Sequence, residues 1–204
     1  MVISRLGSMS LVGFLDALAS KTPAPGGGAT AAVVGAVGVA QALMVVEYSI
    51  GKKDLAEHQE TLGAARAKLS RARQLLLTLA DEDGAAYAAL NALQKLPPDD
   101  PVRLRDLAGA AKASATVPLF VLATCVEALD SLAAIKGKTN RFLESDLRIG
   151  AIVLNAAAES SRCNVEVNLP LIEDDAALEG GGSERRNMGL MLKRAAALLA
   201  RVLG

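Results

Sequence analysis

The most unusual residue of the sequence is a carboxylate on an apolar stripe. Between Asp54 and Lys95 the chain has no proline, and leucines recur at seven-residue intervals, at positions 55, 62, 69, 76 and 90. The same repeat reaches Asp83, which stands where a leucine is expected. Burial of an ionised carboxylate costs free energy unless a partner or ligand compensates, and it raises the carboxyl pKa. Asp83 is therefore a candidate proton donor and acceptor, and the structural alternative is an acid in a helix-to-helix hydrogen bond.

A glycine-rich loop is the second feature with chemical potential. Pro25 is followed by Gly26, Gly27 and Gly28, and an apolar run with helical spacing begins directly after them. The free amides and the positive dipole end of such a helix start favour a carboxylate, a phosphate or a developing negative charge. The glycine spacing lacks the G-x-x-x-x-G-K pattern of a nucleotide-binding loop. An anion site and a tight turn that lets two helices pack both fit this loop.

Four further positions carry polar groups that could bind a ligand. Asn164 and Asn168 share one helical face if the helix continues that far, and amides read the donor and acceptor edge of a heterocycle, although asparagines also end helices. Asp146, directly after Ser145, lies near the start of a predicted helix, where the dipole stabilises an acid whatever else it does. Lys52 could meet an anionic ligand or simply be exposed.

The composition excludes several classes of function. The 22 basic residues balance 22 acidic ones, so the chain lacks the positive field that nucleic-acid binding requires. Neither Cys125 nor Cys163 has metal-ligand companions at useful spacing, and His58 is the single histidine, so no metal site is expected. Nothing at the N-terminus reads as a signal peptide, so we expect reduced cysteines and a cytoplasmic location.

The elements that position these residues are predicted to be helices. Hydrophobic residues make up 51% of the chain but aromatic ones only 2%, and a core of Ala, Leu, Val and Ile suits close-packed helices. With 204 residues and no long polar divider, one domain over 1–204 is expected. We predict an all-α bundle with long helices at roughly 11–20, from the glycine loop to near 50, 54–95 (one helix or two collinear ones), 102–134 (interrupted and kinked at Pro118), 141–167 and 184–203.

The second of these helices is rich in small residues. Residues 25–46 carry only Thr30 and Gln41 as clearly polar side chains, a length that could span a bilayer. The run lacks aromatic belts and a one-sided basic flank, so we expect no membrane span. Small residues form two neighbouring stripes, at 28, 32, 36 and 40 and at 31, 35, 38 and 42, which let backbones approach closely. We expect a buried central helix and a homodimer, because a monomer would expose too much apolar surface.

A series of short phrases gives the chain a family resemblance. In order they are Ala24-Pro25-Gly26-Gly27-Gly28, Met44, Gly51-Lys52-Lys53, Asp81-Glu82-Asp83-Gly84-Ala85-Ala86-Tyr87, Lys95-Leu96-Pro97, Val117-Pro118-Leu119, Ser145-Asp146-Leu147 and Asn164-Val165-Glu166-Val167-Asn168-Leu169. Together these phrases resemble the family that includes the cyclodeaminase domain of formimidoyltransferase-cyclodeaminase and bacterial methenyltetrahydrofolate cyclohydrolases. The similarity runs nearly end to end.

The resemblance implies a dimeric, all-helical enzyme that acts on a tetrahydrofolate derivative, with no permanently bound cofactor. The first expectation is a formimidoyltetrahydrofolate cyclodeaminase, which closes the ring to 5,10-methenyltetrahydrofolate and releases ammonia. The alternative is a methenyltetrahydrofolate cyclohydrolase, in which water opens the methenyl bridge to give formyltetrahydrofolate. The sequence does not decide between them, and a non-catalytic helical dimer or partner-binding module is a further alternative.

The resemblance also assigns roles to residues. The aspartate implicated in cyclodeaminase catalysis corresponds to Asp83. Asp146 and Asn168 are then expected to orient the pterin or the reacting nitrogen, and the Gly26–Gly28 loop and Lys52 to lie near the site or the glutamate tail. The remaining predicted substrate-binding residues are Pro25, Ser145 and Asn164.

Overall fold

Six α-helices make up most of the chain that the structure, a computed structural model, describes; it covers residues 6–168 and 181–204. We label them α1 (Leu11–Ala19), α2 (Gly27–Glu47), α3 (Gln59–Gln94), α4 (Pro101–Ile135), α5 (Glu144–Asn168) and α6 (Gly181–Leu203). No strand occurs in these two ranges, so the predicted all-α class is confirmed. Leu169, the last residue of the final phrase quoted for the family resemblance, lies outside the described residues.

The helix ends follow local sequence signals. The Ser10 hydroxyl accepts a hydrogen bond of 3.0 Å from the amide of Gly13 and so caps the start of α1. The Asp100 side chain caps α4 in the same way, with proline as the first helical residue. A short 3-10 helix over Lys53–His58 precedes α3, and residues 59–94 then form one α-helix. The open choice between one long helix and two collinear ones is thereby decided.

Helices α2 to α5 enclose the core as a four-helix bundle. α2 contacts α3 and α5, and α4 contacts the same two helices, while α6 packs across α4 and α5. Along α2, Gly28 lies against Asp83 and Gly35 lies against Leu76, so the neighbouring helix α3 runs antiparallel to α2. The leucine stripe of α3 faces inward as predicted, because the leucines at 55, 62, 69, 76 and 90 are all buried.

The small residues of α2 allow close backbone contact with α5. A side chain at Gly38 would place its Cβ 3.0 Å from the backbone nitrogen of Leu154 and 3.1 Å from the carbonyl oxygen of Gly150. Of the two predicted small-residue stripes, Ala40 alone is exposed. The prediction of a buried central helix is therefore confirmed.

The predicted interruption of α4 at Pro118 is wrong, because the α-helix continues from Pro101 to Ile135. Proline lacks an N–H and so leaves the carbonyl of Ser114, four residues earlier, without its helical donor. The side chain of Asn168 on α5 donates to that carbonyl at 2.9 Å. A tertiary hydrogen bond replaces the missing one, and the helix persists through the proline.

Two helices, α2 and α4, are long and apolar enough to cross a membrane by length and composition. In their most apolar stretches, 61% of residues in α2 and 67% in α4 are buried inside the bundle. Core helices of soluble proteins pass the same test, so this observation is weak evidence for a membrane. The absence of a membrane span stays a prediction.

The packing of α2 on α5 generates a test with two glycines. Replacement of Gly38 by alanine should lower the free energy of unfolding by roughly 1–3 kcal/mol, because the new methyl group meets backbone atoms that cannot rotate away. Gly63→Ala on α3 is the matched control: a Cβ there meets nothing within 4 Å, and the better helix propensity should stabilise the protein by up to about 1 kcal/mol. Urea unfolding measures both, and a Gly38→Ala protein as stable as Gly63→Ala would contradict the packing described.

Candidate functional site

A carboxylate from α3 lies at the first turn of α2. Asp83 Oδ2 accepts a hydrogen bond of 3.0 Å from the amide of Ala29, although the two residues are 54 positions apart. Gly26, the residue before α2, has no side chain to cap the helix, so Asp83 supplies the missing acceptor from a distant segment. A Cβ at Gly28 would occupy the space of the Asp83 carboxylate. Glycine at this position is what allows the acid to reach the helix start.

Two opposing effects act on the protonation of Asp83. Burial raises the pKa of the Asp83 carboxyl above its ordinary value, and the hydrogen bond from the Ala29 amide lowers it by less, so the net pKa is raised. The positive end of the α2 dipole also favours the charged form. The predicted helix-to-helix hydrogen bond is therefore present, and the predicted rise in pKa accompanies it.

Asp83 lines a cavity of about 340 Å³ at one end of the bundle. This volume lies in the range of small-molecule sites in proteins, roughly 300–1,000 Å³. The wall is built from the α1–α2 loop and the neighbouring ends or turns of α2, α3, α4 and α5. The lining residues are Pro23, Ala24, Gly26, Gly27, Gly28, Asp83, Gly84, Tyr87, Ser114, Asn164, Val167 and Asn168.

The two predicted asparagines enter this cavity from the last turn of α5. The helix continues to Asn168, so Asn164 and Asn168 share a face as predicted. Asn168 Nδ2 donates to two backbone carbonyls, that of Asn164 at 3.0 Å and that of Ser114 at 2.9 Å. Both amide hydrogens are thus used, which fixes the orientation of the amide and makes its oxygen the group left for a ligand.

The glycine loop contributes backbone to the site. As at any helix start, the amides of Gly27 and Gly28 have no carbonyl within the helix to bond. A Cβ at Gly27 would lie 3.1 Å from Asn164 Oδ1, whereas one at Gly26 would meet nothing within 4 Å. Pro25 is buried and does not line the cavity, although its neighbours do. The structure therefore brings together Asp83, the three glycines and the two asparagines.

Three other predicted site residues, Lys52, Ser145 and Asp146, lie at the opposite end of the bundle. Gln41, near the end of α2, donates to Asp146 Oδ1 at 2.8 Å. Asp146 and Asn164 are 18 residues apart on α5, which corresponds to about 27 Å along the helix. Within one chain Asp146 therefore does not lie beside Asp83, and its expected role in orienting the substrate stays a prediction. Ser145 and Lys52 lie near this end too, and their binding roles stay predictions.

Sequence reasoning missed two polar side chains that line the cavity, those of Tyr87 and Ser114. Tyr87 lies one helical turn after Asp83, so the spacing of four was a signal for it. Ser114 carries a buried hydroxyl that has no hydrogen-bond partner among the described residues. Its signal was Pro118, since a proline inside a helix leaves the carbonyl four residues earlier without its donor.

A larger depression of about 620 Å³ lies between α3, α4 and α6, and none of the residues singled out from the sequence lines it. Its charged groups have both signs and include the ion pair of Arg194 with Asp130 at 3.3 Å. In residues 6–168 and 181–204, no group of three or more His, Cys, Asp or Glu residues could hold a metal ion. The absence of a resident metal or cofactor stays a prediction.

The chain is similar to several known proteins over most of its length. The family model of formiminotransferase-cyclodeaminase matches residues 10–186. Methenyltetrahydrofolate cyclohydrolase of Methylorubrum extorquens is 32% identical over 177 residues, 85% of each chain. Formimidoyltransferase-cyclodeaminase of Rattus norvegicus is 29% identical over 96% of this chain but only 36% of its own length. The crystal structure of formiminotetrahydrofolate cyclodeaminase from Thermotoga maritima has a TM-score of 0.82 at 26% identity and covers 96% of this chain and 94% of its own.

The raised pKa of Asp83 predicts how stability depends on pH. At pH values between the ordinary pKa, which holds in the unfolded chain, and the raised pKa of the folded protein, the folded protein binds this proton more tightly. The free energy of unfolding therefore falls as the pH rises through that range. Asp83→Asn does not titrate and should escape this loss. The stability difference between Asp83→Asn and wild type should therefore grow in favour of the variant with rising pH and level off above the folded pKa.

Urea unfolding at a series of pH values measures this difference. Glu82→Gln is the control, because Glu82 is the exposed neighbour with the same charge. It should follow the wild-type dependence. A stability difference between Asp83→Asn and wild type that stays constant with pH would show that burial does not shift the pKa of the Asp83 carboxyl.

Proposed function

The chain belongs to the formiminotransferase-cyclodeaminase family, and on that premise we propose that it rearranges the one-carbon group carried between N5 and N10 of tetrahydrofolate. The observation that carries this proposal is the half-buried Asp83 carboxylate, in the cavity between the start of α2 and the asparagines of α5. That cavity combines a group able to exchange a proton with amides able to hold a heterocycle. The chain is on this basis a folate enzyme.

One carboxylate is sufficient for the proton transfers of either reaction in this family. Both reactions pass through a tetrahedral carbon bonded to N5 and N10. In hydrolysis, water adds to the methenyl carbon and Asp83 takes one of its protons. Asp83 then gives this proton to the nitrogen whose bond to carbon breaks, and the remaining hydroxyl proton is released to solvent as the formyl C=O forms. In cyclodeamination, N10 attacks the carbon of the protonated formimino group, and Asp83 takes the N10 proton and gives it to the amino group, which leaves as ammonia.

The environment of Asp83 suits this exchange. A proton shuttle works best when its pKa is close to the working pH, and burial moves the pKa of Asp83 upward in that direction. The hydrogen bond from Ala29 fixes one oxygen of the carboxylate, which holds the group in place against the substrate. The cavity of about 340 Å³ suits the pterin end of the substrate, and the rest of the molecule would extend beyond it.

Hydrolysis of the methenyl bridge is the activity we put first. The cyclohydrolase of Methylorubrum extorquens is similar over 85% of both chains, so the two proteins correspond over most of their lengths. Cyclodeamination, the first expectation from the sequence, is the second candidate. It is favoured by the structural similarity to the Thermotoga maritima protein over 94% of that chain.

We also propose that the enzyme works as a homodimer through α2 and α5. Val37 on α2 is 56% exposed, and Ile149 and Ile152 on α5 are 49% and 50% exposed. These side chains flank the contact of Gly38 with Leu154, and a second copy would cover them. A twofold axis perpendicular to α2 would also bring the Asp146 end of one copy alongside the cavity end of the other.

Asp83→Asn tests the catalytic proposal. Asparagine keeps the size of the side chain and an acceptor for Ala29 but cannot exchange a proton, so turnover should fall by roughly 10²–10⁴-fold while folate affinity is largely kept. Glu82→Gln, which removes a charge from the adjacent exposed side chain, should leave turnover near the wild-type value. Near-normal turnover of a folded Asp83→Asn protein would remove Asp83 from the mechanism.

The same assay distinguishes the two reactions. Purified protein is offered 5,10-methenyltetrahydrofolate or 5-formiminotetrahydrofolate separately, and absorbance and ammonia release are followed. Loss of the methenyl absorbance without ammonia supports the cyclohydrolase, and appearance of that absorbance with ammonia supports the cyclodeaminase. No reaction with either substrate would contradict the proposed function.

Sedimentation tests the dimer. The wild-type protein should sediment as a dimer at micromolar concentration, and Val37→Glu should dissociate it, because a charge in an apolar interface is desolvated without a partner. Val102→Glu is the control, since Val102 is an exposed valine on α4 outside the proposed interface. A monomeric wild-type protein would overturn the dimer proposal.

A further inference from the structure

One buried hydroxyl in the described part of the chain differs from the rest. Five serine or threonine side chains are buried there. Four of them, Ser49, Thr124, Ser131 and Ser161, donate to the carbonyl four residues earlier, at 2.7 to 3.1 Å. The hydroxyl of the fifth, Ser114, makes no hydrogen bond among the described residues, and its oxygen is fully buried. A buried hydroxyl without a partner destabilises the folded protein, so its retention needs a reason.

The backbone of Ser114 is unusual as well. Its carbonyl has lost its helical donor to Pro118 and instead accepts from Asn168 Nδ2 at 2.9 Å. Asn168 is held by this bond and by a second to the Asn164 carbonyl. Pro118 thus frees an acceptor on α4, and that acceptor fixes the amide on α5. The consequence is that the Asn168 oxygen has one defined position in the cavity wall.

Ser114 and Asn168 line the same cavity as Asp83. Ser114 is 7% exposed, and rotation about χ1 can change the direction of its hydroxyl. We propose that the Ser114 hydroxyl and the Asn168 oxygen form a paired recognition element for the edge of a heterocycle. The Asn168 oxygen accepts from a ring N–H or amino group, and the Ser114 hydroxyl donates to the adjacent ring nitrogen or carbonyl.

This inference rests on the proposed function, in which the heterocycle is the pterin ring of tetrahydrofolate. It adds a positioning residue on α4, whereas the proton exchange belongs to Asp83 on α3. A structural role for Ser114 makes a different prediction. If the hydroxyl stabilises the fold, its removal should lower the free energy of unfolding. If it is unpaired until a ligand binds, its removal eliminates a buried polar group without a partner, and the free energy of unfolding should stay unchanged or rise.

Ser131→Ala is a matched control for Ser114→Ala. Both serines lie on α4 and both are 7% exposed, but Ser131 donates to the Glu127 carbonyl and lies outside the cavity. The probe is tetrahydrofolate without a one-carbon group, so that the measurement reports recognition of the ring and not chemistry. Calorimetry gives its Kd, and thermal unfolding of the free protein gives the Tm.

We expect Ser114→Ala to raise the Kd about tenfold, the effect of one lost hydrogen bond, while its Tm stays equal or rises. KM for the one-carbon substrate should rise similarly with little change in kcat. Ser131→Ala should leave Kd unchanged and lower Tm. Pro118→Ala restores an N–H that competes with Asn168 for the Ser114 carbonyl, so this variant should also raise Kd.

The outcomes separate this inference from the proposed function. If wild type binds tetrahydrofolate and Ser114→Ala binds it equally well, the recognition element is overturned while the proposed function stands. A lower Tm for Ser114→Ala with unchanged Kd would assign the serine a structural role and overturn the inference too. A wild-type protein that binds no tetrahydrofolate and turns over neither substrate overturns both.

Discussion

The contact between the Asp83 carboxylate and the first turn of α2 constrains the rest of the structure. It requires glycine at position 28, because the carboxylate occupies the space that a side chain would need there. It also fixes α3 against α2, since the hydrogen bond to Ala29 joins the two helices at one register. The leucines of α3 then face the core along the rest of the helix. The cavity is the space that remains around this contact, so the core packing and the candidate site share one geometric origin.

The other side of the cavity depends on a backbone defect in α4. Pro118 removes one helical hydrogen bond, and Asn168 replaces it from α5. Backbone carbonyls are strong acceptors, and buried ones are nearly always paired. The Ser114 carbonyl is therefore available to α5, and the hydrogen bond from Asn168 joins the two helices. The same hydrogen bond joins α4 to the last turn of α5, where Ser114 and Asn168 both line the cavity.

Much of this arrangement was predictable from local sequence. The leucine repeat and the small residues of α2 are patterns within short segments, and both have the predicted outcome. Asp83 was identifiable because it breaks a pattern. Its hydrogen-bond partner, the Ala29 amide, was not identifiable, because a hydrogen bond between residues 54 positions apart leaves no local signal in the sequence. The distance of Asp146 from Asp83 within one chain was not predictable for the same reason: spacing along the chain does not reveal which end of a bundle a residue occupies. Ser114 was missed because its importance depends on Pro118 and Asn168 together.

The shared space of Gly28 and Asp83 has an evolutionary consequence. A side chain at position 28 would overlap the carboxylate of Asp83, so the acid reaches the start of α2 only when residue 28 is glycine. A side chain at position 28 therefore requires that the acid at position 83 is lost earlier or at the same time, whereas loss of the acid alone creates no clash. The two positions should be inherited as a unit across divergent relatives, and a lineage that has abandoned the acid should be free to fill the glycine.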